Sequence, residues 1–412
     1  MTDHTLQERA RRVIAECRRI ANMSEEPDRT TRRFLTQPVR EVHAHLRNRM
    51  ESLGMTVQTD AAGNLRGLWQ PPGAHGRRLI LGSHIDTVPN AGAFDGVLGV
   101  TLALEWLALA QELKLPLAIE IIAFSEEEGV RFEVPFLGSR AVAGRFDPAL
   151  LALKDADGIT LEQAIRDFAL DPAQIGDAAL DANVLGFVEM HIEQGPILES
   201  EGLSVAAVTA IVGQSRLTLE FRGHANHTGT TPMHLRRDAL AGAAEWITAV
   251  ESQARNTDGL IATVGKIEVE PNASNVIAGI ARASLDIRHA DDASRRAAVE
   301  FLLAQAMAIS QKRGLALEWS QQMDQPAVPM DERLTAYLGE AMVATGLREK
   351  RMNSGAGHDA MVMAARVPAA MLFLRSPGGI SHHPDETVRE EDVEAALNVG
   401  RKFLQRLAAD VR

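Results

Sequence analysis

The stretch Arg78-Leu79-Ile80-Leu81-Gly82-Ser83-His84-Ile85-Asp86 decides the fold. Its first half is a short, uninterrupted apolar run of the kind a central strand of a covered sheet requires, and its second half turns polar without a break. A loop rich in Gly and Asn follows, containing Gly92-Ala93-Phe94-Asp95-Gly96, and then a helix-periodic segment from Val97 to Glu112. Leu117 to Phe124 repeats the opening pattern, an apolar strand running directly into Ser125-Glu126-Glu127-Glu128-Gly129. Strands alternating with helices, with polar residues at the strand ends, specify an α/β fold with a mostly parallel sheet covered on both faces. In such sheets the site lies beyond the carboxyl ends of the strands.

Upstream of this stretch, Leu6 to Ile20 has the spacing of an amphipathic helix, and a second helix runs from near Pro38 to Gly54. Met55–Thr59 and Asn64–Trp69 read as two strands about a turn. Downstream, the texture changes after Gly213. The expected order is a strand over Ser215–Phe221, a helix over Met233–Ala254, strands over Ile261–Val269 and Ala281–His289, a helix over Ala293–Lys312 and a strand over Leu315–Trp319. That β-α-β-β-α-β order is the ferredoxin-like split βαβ unit. From Asp331 the first pattern returns. The expectation is one catalytic domain over residues 1–213 and 329–412, interrupted by an inserted domain over 214–328.

Composition removes several classes of function. The 412 residues carry 43 Lys plus Arg against 55 Asp plus Glu, a net charge of −12, which argues against nucleic acid as a partner. Aromatic residues make up 4%, too few for a base- or sugar-stacking platform. No segment reaches the roughly 18 consecutive apolar residues of a membrane span. The start has no basic region leading into an apolar core, and the single Cys17 cannot form an intramolecular disulfide. A cytoplasmic location is expected.

Four polar clusters fall at strand ends: His84-Ile85-Asp86 with Asp95, Glu126-Glu127-Glu128, His191 with Glu193, and His382-His383-Pro384-Asp385. Imidazole and carboxylate together suit Zn, Mn, Co or Ni, whereas Mg or Ca would prefer oxygen alone. With no thiolate in the set, manganese is the expected metal. Five well-placed groups suffice for two cations sharing one carboxylate, and Asp95, on its Gly-rich loop, suits the shared position. Asp86, two residues beyond His84 on an extended segment, is placed to accept the other ring N–H and fix the tautomer. Neighbouring side chains on an extended chain point in opposite directions, so one or two of the three glutamates face the site. Adjacent glutamates can thereby supply a ligand and a proton acceptor. Any one cluster alone is more often a hydrogen-bonded pair or a solvated face. Four clusters, each at a strand end, point to a metal centre.

Several strings resemble the amidase, hydantoinase/carbamoylase branch of the dinuclear M20 metallopeptidase superfamily. They are Gly82–Val88, Ser125–Phe132, Glu189-Met190-His191-Ile192-Glu193-Gln194-Gly195, Asn226–Met233, Ser354-Gly355-Ala356-Gly357-His358-Asp359-Ala360 and Gly379–His382. The blocks run in family order from about Ser24 to Asp385. The resemblance implies that His84, Asp95 and His191 hold one metal, and that Asp95, Glu128 and His382 hold the other. It makes Glu127 the general base and Glu126 a variable neighbour. It gives His227 the role of reaching into a partner subunit's site to polarise the scissile carbonyl, within a homodimer formed through the inserted domain. Gln214, Asn275 and Arg288 would hold the substrate, Arg288 by its carboxylate. Gln194 and His358 are weaker candidates. Ala278 stands where the family usually has proline, which affects the stiffness of the loop after Asn275. The implied activity is metal-dependent hydrolysis of the ureido C–N bond of a small ureide. The segments Ile20–Pro27 and Thr31–Leu35 favour allantoate, and N-carbamoyl-L-amino acids come next, followed by ureidoglycolate and β-ureidopropionate. A catalytically silent binding protein would lack Glu127 or a ligand, and every position is filled.

Overall fold

The computed structural model describes residues 3–72, 74 and 76–410. The chain divides into two compact units, one formed by Met1–Thr209 with Met330–Arg412 and the other by Ala210–Pro329.

The first unit is built on a sheet whose four middle strands lie side by side in the order Ala118–Phe124, Arg78–His84, Val184–Ile192 and Ala369–Leu374. All three pairings among them are parallel. Three of these strands are buried along their whole length, as the central strands of a sheet covered on both faces are. Antiparallel strands flank this parallel centre. Thr56–Thr59 and Leu65–Trp69 form a hairpin beside Ala118–Phe124. Its turn is closed by the Asp60 carboxylate, which accepts the N–H groups of Ala62 and Asn64 at 3.0 Å each. A turn this short can join strands only in antiparallel fashion.

The helix Val97–Glu112 starts where the sequence predicts and buries thirteen of its sixteen residues. Glu105 lies on this buried helix, and the Arg9 guanidinium from the Asp3–Ala21 helix meets it at 2.7 Å. Arg12 at 3.4 Å and Arg49 at 4.0 Å complete the set of guanidinium groups around this carboxylate.

The second unit has its own antiparallel sheet. Its strands run in the order Ala316–Gln325, Gly213–Arg222, Ile280–His289, with Ile261–Thr263 and Ile267–Glu270 both on the outer edge of the last. The helices Ala239–Arg255 and Asp292–Arg313 share with this sheet a core that includes Leu217, Phe221, Trp246, Ile287 and Leu302. This is the ferredoxin-like arrangement, with one strand broken in two. Two details depart from the expectation. The first helix begins at Ala239 rather than Met233, because the Asp238 carboxylate caps it by accepting the Ala241 N–H at 3.0 Å. Met233–Leu235 instead forms a short 3-10 turn. The strand expected over Ile261–Val269 is interrupted after Thr263. Among the described residues, no helix is long and apolar enough to cross a membrane.

Candidate active site

Each of the four parallel strands ends at a polar cluster. His84 is the last residue of its strand, Ser125–Glu128 follows Phe124, His191 is the penultimate residue of Val184–Ile192, and His382 lies in the loop after Leu374. The structure gathers them into overlapping groups whose donor atoms lie within 4.8 Å of one another: His84–Asp95–His191, Asp95–Glu128–His382 and His84–Glu127–Glu128. Asp95 belongs to two. Its Oδ1 is 3.1 Å from His191 Nε2 and 3.6 Å from His84 Nε2, and its Oδ2 is 3.2 Å from His382 Nε2. These groups open onto a cleft of about 210 Å³, lined further by Phe136, Gln194 and Gly357.

The ring orientations test whether a cation fits. His191 Nδ1 lies 2.9 Å from the Ile192 carbonyl, and His84 Nδ1 lies 3.1 Å from the Asp86 carbonyl. A carbonyl can only accept, so in the neutral rings both protons sit on Nδ1 and the Nε2 lone pairs face inward. Those two nitrogens are 3.4 Å apart, and both face Asp95 Oδ1, which is buried with no hydrogen-bond donor among the described residues. Two lone pairs and an anionic oxygen converging in a buried site require positive charge between them, and a divalent cation satisfies that need.

The electrostatics of the cluster point the same way. Burial works against charge on His84, yet its contacts with Asp86 and Asp95 raise its pKa well above the usual histidine value. Burial would raise Asp95, but His191, His382 and His84 hold it well below the ordinary carboxylate range. His382 is pushed up to about 9, chiefly by its hydrogen bond to Asp95. Burial carries Glu128 up to about 7 and Glu127 well above the carboxylate range.

Local backbone geometry supports the placement. Gly96 has φ +65°, and a Cβ there would lie 2.5 Å from the His84 ring, so the Asp95 loop can pass over His84 only with glycine at this position. Glu126, Gln194 and His382 all take left-handed φ values, of 50°, 60° and 54°. Such strain concentrates at sites where surrounding contacts fix it.

Asp86 acts differently from its expected part. Its carboxylate is 3.6 Å from His84 Nδ1 and instead accepts the backbone N–H groups of Glu127 and Glu128, each at 3.0 Å. Gln194 is closer to the centre than its weak sequence signal suggested, with Nε2 3.3 Å from Asp95 Oδ2 and 3.4 Å from His382 Nε2. Glu193 faces away and accepts the N–H groups of Ile197 and Leu198 at 2.7 and 2.9 Å. His383 and Asp385 are exposed. His358 is buried, hydrogen-bonded to Ser354 Oγ at 2.9 Å and packed edge-on against His191 at 4.4 Å, a supporting position behind that ring.

The other candidates lie in the second unit. His227 and Asn226 pair with Val276 and Ile277 in a small two-stranded ladder, which sets Asn275 beside His227 in the fold. The Gly229 N–H donates to His227 Nδ1 at 3.0 Å, so the neutral ring carries its proton on Nε2. Gln214 and Arg288 are register partners on adjacent strands, and both reach Asp286, Gln214 Nε2 at 2.6 Å and Arg288 Nε at 2.9 Å.

The profile of Peptidase family M20/M25/M40 matches residues 80–406, most of the chain and every group of the metal-type cluster. The chain belongs to the M20 family. An allantoate deiminase from Arabidopsis thaliana is 36% identical over 95% of this chain and 81% of its own. An N-carbamoyl-L-amino acid amidohydrolase from Geobacillus stearothermophilus is 36% identical over 85% and 86%. The crystal structure of an amidase of the hydantoinase/carbamoylase family from Burkholderia multivorans superposes with a TM-score of 0.89 at 31% identity, covering 96% and 97%. This M20 protein is therefore an enzyme, an amidohydrolase of the hydantoinase/carbamoylase branch.

Proposed function

We propose that the protein hydrolyses the ureido C–N bond of a small, carboxylate-bearing linear ureide, allantoate first, releasing ammonia and CO2. The observation that carries this reading is the pair of ligand groups sharing Asp95, with Glu127 beside them. His84, Asp95 and His191 would hold one divalent cation and Asp95, Glu128 and His382 a second, with manganese the metal best suited and Zn, Co or Ni able to substitute. When bound, such a pair supplies Lewis acidity, making a water acidic near neutral pH and polarising a carbonyl.

The chain's own residues do the rest. Glu127 takes the proton of the attacking water and returns it to the departing nitrogen. Its seclusion from solvent suits the first act, because burial raises its affinity for a proton. His227, with its proton on Nε2, is a donor for the carbonyl oxygen as negative charge develops there. Arg288 and Gln214 present donors for the substrate carboxylate, the guanidinium by its planar fork, and Asn275 joins them. These four residues lie in the second unit while all the proposed metal ligands lie in the first. That division supports a homodimer in which the inserted unit forms the interface and His227 serves the partner's site.

N-carbamoyl-L-amino acids are the second reading, favoured by the Geobacillus relative, which matches the Arabidopsis one in identity. A screen of manganese-loaded protein, read by ammonia release for allantoate, N-carbamoyl-L-amino acids and ureidoglycolate and by free amino acid for N-acetyl amino acids, separates them. Allantoate is expected to give the highest kcat/KM. Turnover of acetylated amino acids alone would overturn the ureide reading.

A further inference from the structure

We infer that Glu386 is a positioning residue, a clamp that fastens the loop carrying Asp95 to the loop carrying His382 and so sets the spacing of the Asp95–Glu128–His382 group. The inference rests on the dinuclear reading above and extends it to a residue that is not itself a ligand. Glu386 is 4% exposed and four residues beyond His382. Its Oε1 accepts two consecutive backbone N–H groups, of Phe94 and of Asp95, at 3.0 Å each. Its Oε2 accepts the Ser381 hydroxyl at 3.4 Å. One carboxylate thus touches the residue before His382 and the backbone of the shared ligand, which lie almost three hundred positions apart. Among the described residues no arginine or lysine forms an ion pair with it, so it is not half of a structural salt bridge.

The opposing loop is shaped to receive it. A Cβ at Gly92 would lie 2.4 Å from Glu386 Cβ and 2.5 Å from its Oε1. Only a residue without a side chain lets the Asp95 loop close onto the carboxylate. The two cation positions depend on this clamp unequally. His84 and His191 sit on buried strand ends held by the sheet, whereas His382 is on a loop, half exposed and in the left-handed region. The Asp95–Glu128–His382 position therefore draws its geometry from the clamp, and the His84–Asp95–His191 position from the strands.

Mn2+ binding to the full-length protein tests this, by calorimetric titration and by metal content after gel filtration. Glu386→Leu fills the same space without an acceptor. It should bind the first Mn2+ as the wild type does and the second roughly 10–100-fold more weakly, the usual penalty for losing a residue that orients a ligand. Glu386→Gln should restore near-wild-type binding of both, because its amide oxygen can accept the two N–H groups while its NH2 donates to Ser381 Oγ. Gly92→Ala, which pushes the carboxylate aside without removing it, should mimic the Leu variant and decides the matter if that variant does not fold. Wild-type affinity for both ions in Glu386→Leu or Gly92→Ala overturns the clamp, as does a Gln variant as weak as Leu. A wild-type chain that takes up only one Mn2+ overturns the dinuclear reading, and the clamp with it.

Discussion

Glu127 and Glu128 are adjacent, both secluded, and chemically identical, yet their surroundings assign them different work. Glu128 Oε1 lies 3.6 Å from His382 Nε2 and belongs to the group shared with Asp95, while Glu127 groups only with His84 and Glu128. Replacing Glu127 with Gln should leave metal content unchanged and lower kcat by about 10²–10⁴-fold, the usual contribution of a general base. Replacing Glu128 with Gln should instead release metal, measured by elemental analysis of the dialysed protein. Reversed phenotypes would mean the two roles are exchanged. His84, Glu127, Glu128 and His191 were legible in the sequence because they stand at the abrupt ends of apolar strands, and Asp95 and His382 because polar residues recur in the loops that follow. Asp86 was legible as a site residue, but not in its full part. Its bonds run to the backbone of residues 41 and 42 positions away, and a backbone N–H leaves no signature in residue type. Glu386 escaped notice for the same reason.

At the scale of elements, the helix Gln37–Ser52 carries a histidine that has nothing to do with the site. His43 is buried against the Phe168 ring, edge-on at 5.6 Å, with Arg40 and Arg47 on its own helix. Burial, aided by those two arginines, lowers its pKa to about 4. The unfolded chain holds the proton up to about pH 6.5, so between the two values the unfolded state binds a proton that the folded state refuses. Stability contributed by this residue is therefore complete above about pH 6.5 and is lost as pH falls toward 4. His43→Leu should flatten that part of the profile, narrowing the drop in Tm between about pH 7 and pH 5 relative to wild type. An unchanged drop would show that other groups control it. Most helices and strands were legible from periodicity alone. The start of Ala239–Arg255 was not, because the apolar pattern extends upstream past Asp238 and only the capping geometry ends it. The break after Thr263 was also hidden, since the flanking residues alternate as one strand would.

The whole molecule keeps its proposed metal ligands on one unit and its proposed substrate donors on the other. If His227 serves the partner's site, inactive Glu127→Gln and inactive His227→Ala proteins, unfolded and refolded together, should recover part of the wild-type ammonia release, because some mixed dimers contain one intact site. No recovery despite verified subunit exchange would place His227 within its own chain's chemistry or outside it. Chain order adds a consequence for synthesis. His84, Asp95 and His191 all precede the inserted unit, whereas the group of Asp95 and Glu128 lacks His382 until the segment beyond that unit has been made. On the ribosome the residues of the first proposed cation position are spelled out long before those of the second. A product of premature termination within or just after the inserted unit lacks His382, Glu386 and the strand Ala369–Leu374 that pairs with Val184–Ile192. By the proposed mechanism such a fragment would not turn over substrate, so the arrangement leaves catalysis to chains translated nearly to their last helix.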